Sequence, residues 1–147
     1  MIRQAREDDL LRIVEMSAQF YPHTYYIKIS PFDTESVSIL ASSLIDNGVM
    51  LVAEVEGKVV GMVGLVPAPF IFNPSIVGVY EVIWWVEPEY QGQGVGRDLL
   101  RVIEPIAKEK GASYIHMVCM ADSPIQAAAL YIKEGYDHTE MSFTKRI

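Results

Sequence analysis

The chain has 147 residues, 50% of them hydrophobic, and a formal net charge of −7. That length and apolar content suit one folded domain, residues 1–147, and exclude general disorder. The negative charge argues against non-specific nucleic-acid binding, which needs basic patches to neutralise phosphates.

Along the chain, Ile2 to Ala5 reads as a short first strand and Asp8 to Phe20 as a helix with acidic residues in its first turn. Leu10, Ile13, Val14 and Ser17 share one face of that helix. Two prolines and three tyrosines between Tyr21 and Pro31 predict an irregular segment. Within it, His23, Tyr25 and Tyr26 fit a substrate-facing loop as well as a plain packed one. Asp33 is placed to cap a second helix that ends near Asp46, before Asn47-Gly48. Val49 to Val55 and Lys58 to Val66 form a predicted hairpin about Glu56-Gly57. Gly61 and Gly64 inside its second strand mark a bulge or a close approach. Pro67-Ala-Pro69 and Asn73-Pro74 read as a loop before a central strand that begins near Ile76.

The central strand, Tyr-Glu-Val-Ile-Trp-Trp-Val from Tyr80 to Val86, is β-branched and aromatic and is closed by Pro88. Strict alternation puts Tyr80, Val82, Trp84 and Val86 on one side, and Glu81, Ile83 and Trp85 on the other. A long helix follows, with Leu99, Leu100, Ile103, Ile106 and Ala107 on one face. Pro105 within it removes a hydrogen bond and predicts a kink. Gly111 closes the helix, and Ser113 to Met120 reads as a buried strand. Ser123, Pro124 and Gln126 together predict a capped start for the next helix, which Gly135 stops. Tyr136 to Arg146 reads as a last strand.

No apolar run approaches the ~18 residues of a membrane span, and the opening residues are too polar for a signal peptide. A cytoplasmic protein with no membrane segment is expected. Cys119, the one cysteine, lies in an apolar run and reads as a small buried hydrophobe. His23, His116 and His138 lack metal-ligand spacing, so no metal is expected.

Between the central strand and the long helix lies Gln91-Gly-Gln-Gly-Val-Gly-Arg97, with glycines at 92, 94 and 96. A glycine-rich turn that feeds a helix aims unpaired amides and the positive end of the helix dipole at one point, which suits a phosphate. The spacing fits neither a dinucleotide-binding Gly-x-Gly-x-x-Gly near a fold's start nor a Walker loop, which needs Gly-Lys-Ser/Thr. Glu81 is a carboxylate in a strand with two apolar faces. Burial would raise its pKa toward the range of a general base; the alternative is a buried acid held by an arginine or a backbone donor.

Gln91, Gly94 and Gly96 resemble the Gln/Arg-x-x-Gly-x-Gly/Ala loop of the GNAT superfamily of N-acetyltransferases. Leu130-Tyr131-Ile-Lys-Glu-Gly135-Tyr136 resembles that family's Leu-Tyr-x-x-x-Gly-Phe, with tyrosine replacing the usual phenylalanine. The resemblance covers Tyr80 to Tyr136 in motif and the earlier residues only in element order. It implies an α/β (α+β) fold: a mixed, mostly antiparallel central sheet of about 6–7 strands with helices on both faces. It also implies an N-acetyltransferase whose acyl donor is acetyl-CoA and whose acceptor is a small-molecule or peptide amine, compatible with an acidic chain.

On that resemblance, Gln91, Gly92, Gln93, Gly94, Val95 and Gly96 hold the pyrophosphate, Arg97 adds charge to that site or stands as a solvated surface arginine, and the backbone at Trp85 and Val86 holds the pantetheine. Tyr131 protonates the departing thiolate, Glu81 serves as base, and Tyr25, Tyr26 and Glu81 meet the acceptor. Family members often dimerise, so a homodimer is compatible with it. The rival readings are a non-catalytic acyl-CoA-binding or sensing domain and a different phosphate-ligand enzyme such as a nucleotide binder.

Overall fold

The computed structural model describes the whole chain, Met1–Ile147. One five-stranded sheet runs in sequential order: β1 (Ile2–Gln4), β2 (Val49–Val55), β3 (Lys58–Phe70), β4 (Asn73–Val86) and β5 (Tyr114–His116). All neighbours are antiparallel except β4 and β5, which are parallel. Helices α1 (Leu10–Phe20) and α2 (Thr34–Asn47) pack on one face of the sheet, and α3 (Val95–Glu109) and α4 (Ile125–Lys133) on the other.

Each face has its own core. Leu51, Val60, Val63, Leu65 and Val79 of the sheet are inaccessible beneath Leu99 and Ile103 of α3. On the opposite side Val52 and Met62 lie under Ile13 and Met16 of α1, with Ala41 and Leu44 of α2. Such burial, at about 1.5–3 kcal/mol per large side chain, holds helices that are too short to persist alone. Local chemistry sets the joints. Glu56 and Gly57 both take left-handed φ, 50° and 78°, the pair that a tight hairpin turn demands. The Asp33 carboxylate accepts from the Ser36 amide and caps α2.

The sheet has fewer strands than the sequence suggested, and several boundaries move. Pro67 to Pro74 is not a loop, because β3 and β4 stay paired out to Phe70 and Asn73. The prolines are tolerated there because β2 stops pairing with β3 at Leu65, leaving that side of β3 without a ladder to lose. Ser113 to Met120 is not one buried strand: only Tyr114–His116 pairs, residues 117–120 leave the sheet, and Cys119 is exposed. Residues 137–147 form no strand, and Met141 (71%) and Phe143 (90%) stand in solvent. A three-residue β5 gives a further strand little edge to pair with. Ser123 does not cap α4; its hydroxyl accepts from the Met120 amide, and Pro124 occupies the cap position. Pro105 lies inside α3, whose buried face continues past it to Ala107.

Candidate active site

The site begins with a defect in β4. Gly64 pairs with Ile83 and Leu65 with Glu81, so Val82 is an extra residue with no partner, a β-bulge. The bulge resets the alternation. Val82, Ile83 and Trp85 pack toward α1 and α2, whereas Val79, Trp84 and Val86 pack toward α3 and α4. Two positions from Val79 on the unbulged side, Glu81 therefore goes with the second set. Strict alternation had placed it with Ile83 and Trp85.

Beside the bulge the sheet opens. β5 pairs with β4 only over Gly78 to Tyr80, so Glu81 to Val86 have no strand on that edge. The segment leaving β5 turns back across the gap, where two side chains take hold of the main chain of one residue, Val118. The Val118 amide donates to Glu81 Oε2 at 2.9 Å, and the Val118 carbonyl accepts from the Tyr131 hydroxyl at 2.9 Å. Glu81 keeps some accessible surface in this cleft but is crowded by protein. Burial pushes its carboxyl up to about 7, against the opposing pull of the Val118 amide. Burial, reinforced by the nearby Glu81, also holds the Tyr131 phenol well above its ordinary value, so it stays protonated at any working pH.

Tyr131 is fixed from three sides. Its ring lies 5.3 Å from that of Trp84 and 5.7 Å from that of Tyr136. Gly135, at φ 90°, ends α4 and lets the Tyr136 amide donate to the Tyr131 carbonyl at 3.0 Å. Arg101 of α3 meets Glu134 in two hydrogen bonds of 2.9 Å, joining the two helices at that end.

The glycine turn closes the other end of the cleft. Gly92 and Gly94 take φ of 74° and 89°, and Gly94 is the residue from which α3 springs. Gly96 serves differently: a methyl there would lie 3.2 Å from the Trp84 ring, so its absence lets the helix sit down on the strand. Side chains fold the turn from within, Gln91 Nε2 donating to the Val86 carbonyl at 2.8 Å and Gln93 Nε2 to that of Glu89 at 2.6 Å. The amides of Gly92, Gln93, Gly94, Val95 and Gly96 find no acceptor in the protein. The Arg97 guanidinium, bonded to Asp98, lies over Gly94. At the base, buried Glu87 pairs with Arg12 of α1, whose Nε also donates to the Val59 carbonyl at 3.1 Å.

The remaining sequence candidates lie apart from this cluster. Tyr25 and Tyr26 belong to a short 3-10 turn, Tyr25–Lys28, after α1, and both are exposed. Tyr26 lines a cavity between α1, α2 and β4, whereas Tyr25 faces the Lys28 ammonium at 5.2 Å. The Trp84 and Trp85 indole N–H groups are buried with no acceptor. Trp85 also stacks on His23 at 5.5 Å. Sequence reasoning missed the main chain of Val118. No three His, Cys, Asp or Glu side chains converge as metal ligands would, and no helix is long and apolar enough to cross a membrane.

The sheet thus opens past its one parallel pair, beside a glycine turn that feeds a helix. Residues 10–136 match the Acetyltransferase (GNAT) family, and the chain belongs to that family. Human (Homo sapiens) N-acetyltransferase 8 is 30% identical over 127 residues, which make up 83% of this chain and 53% of that protein. The chain thus spans about half the length of the curated relatives it matches. Among solved structures, a transcriptional regulator from Bacillus halodurans superposes with a TM-score of 0.78 at 20% identity, over 100% of this chain and 99% of that one. A predicted acetyltransferase from Clostridium acetobutylicum, solved with acetyl-CoA, gives 0.74 at 18% identity over 99% and 95%. At those identities the structures speak for the fold. Enzymes of the family use acetyl-CoA.

Proposed function

We propose that this protein is an acetyl-CoA-dependent N-acetyltransferase that acts on a primary amine by direct attack in a ternary complex. The observation that carries the reading is the meeting of Glu81 and Tyr131 on the amide and the carbonyl of Val118, at the point where β5 leaves β4. A base and an acid are thereby set together in a gap with a free strand edge on one side.

Acetyl-CoA supplies the activated acetyl group and a diphosphate. The free amides from Gly92 to Gly96, with Arg97 above them, are the diphosphate cradle. Trp85 and Val86 offer the backbone of the open β4 edge to the pantetheine, as an added strand would use it. Glu81 takes the proton from the acceptor ammonium and leaves a neutral amine. The amine nitrogen then attacks the thioester carbonyl, the N–C bond forming as the C–S bond breaks. Tyr131 gives its proton to the departing sulfur and regains one from the acetylated nitrogen, which leaves a neutral amide, a free thiol and the one proton held by Glu81. Holding both reactants in one cleft supplies much of the rate, and oriented amides supply more.

A panel of primary amines incubated with acetyl-CoA, read as thiol released, tests the reaction. The expected result is amine-dependent thiol. Acetyl-CoA should raise the melting temperature while NAD and ATP leave it in place; the reverse order removes the reading. Glu81 and Tyr131 are also bonded in a way that would serve a non-catalytic acyl-CoA binder, and a melting shift with no thiol release selects that alternative.

A further inference from the structure

On the opposite face of β4 from Glu81, a cavity of about 120 Å³ lies between α1, α2 and the bulge. Val82 and Ile83, the two residues that follow Glu81, line it from the strand. Phe20, Tyr26, Phe32 and Leu40 are among the side chains around them. Of the hydroxyls lining the cavity, Ser17 donates to the Ile13 carbonyl at 2.8 Å and Tyr21 to the Tyr26 carbonyl at 2.9 Å, while that of Tyr26 bonds to no protein group. No charged side chain lines it. Its rim is built rather than loose, since Thr24 is buried, donates to the Tyr21 carbonyl at 2.8 Å and accepts from the Tyr26 amide at 3.2 Å.

From this geometry we infer that the acceptor is a primary amine carrying one uncharged aromatic ring or branched hydrocarbon, which fills this cavity while the amine passes round the β4 edge that β5 leaves unpaired beyond Tyr80 and so reaches Glu81. The inference rests on the acetyltransferase reading above and names its substrate class. Volume sets the size of the group, because an apolar cavity of about 150 Å³ holds benzene. Chemistry sets its character. A second ammonium would find no carboxylate there, and a sugar's several hydroxyls would lose their water for at most the one Tyr26 hydroxyl. The bulge supplies the link: one extra residue turns Val82 and Ile83 toward the cavity while Glu81, next in the chain, faces the cleft.

The test is a matched series of ethylamine, 3-methylbutylamine, phenethylamine and 1,4-diaminobutane at saturating acetyl-CoA. The branched and aromatic amines should exceed the other two by about tenfold to a hundredfold in kcat/KM. Filling the cavity through its buried Ala41 lining, with Ala41→Leu or the milder Ala41→Val, should collapse that ratio. An acetyl-CoA melting shift in each variant reports that it has folded. Phenethylamine should also raise the melting temperature of the CoA complex more than ethylamine does, a readout independent of turnover. Equal rates across the series, or a preference for the diamine, overturn the inference while leaving the acetyltransferase reading intact. Absence of thiol release with every amine brings down that reading, and this one with it.

Discussion

The carboxyl of Glu81 and the hydroxyl of Tyr131 differ in what burial does to their use. Raised to about 7, the acid is divided between its two forms near neutrality and able to accept a proton. Raised from an already high value, the phenol is kept as a donor. In kcat/KM the expected profile climbs with pH and bends near 7, and Glu81→Gln should lower the rate and erase the bend. A bend that survives the substitution assigns it to another group. Tyr131→Phe keeps the ring against Trp84 and removes only the hydroxyl, so turnover should fall about 10²–10⁴-fold with little change in acetyl-CoA affinity. An equal loss in both would make the hydroxyl a binding group instead.

The elements were legible where one strong local rule governed them. The apolar face of α3, the left-handed turn at Glu56-Gly57, the Asp33 cap and the Gly135 stop stood where the residues put them. Misreadings came where tertiary pairing overrode a local rule. Pro67 and Pro69 looked like loop residues but sit where β3 has no β2 neighbour. The apolar run after Tyr114 looked like strand but has no sheet beside it past His116. Gly64 marked the neighbourhood of a bulge, but nothing at Val82 showed that the extra residue lay on β4, and with it went the facing of Glu81. Two substitutions examine the turn and the helix that follows. Gly94→Ala forces a side chain into φ 89° and should cost about 1–2 kcal/mol in urea unfolding while weakening acetyl-CoA binding. Leu99→Ala, in the inaccessible centre of the α3 core, should cost about 2–5 kcal/mol in the same measurement.

For the whole molecule, desolvating Glu81 trades stability for reactivity, and the sign is fixed by linkage. The folded state holds that proton up to about 7, and the unfolded chain releases it at the ordinary 4.5. Its contribution is therefore complete below pH 4.5 and lost as the pH rises through 7, an amplitude of about 3 kcal/mol. Urea titrations of wild type and Glu81→Gln across that window should show the wild type losing ground as pH rises. Parallel curves would mean that Glu81 is hydrated like a surface acid.

Val118 has a further consequence. Both catalytic candidates grasp its main chain, while its own side chain is 39% exposed. The contact is thus blind to the letter at position 118: valine, lysine or serine would present the same amide and carbonyl. Proline alone lacks the hydrogen that the carboxylate accepts. Related proteins are therefore free to vary widely at this point without loosening the junction, and a comparison of sequences would pass over the residue on which the acid and the base are both moored.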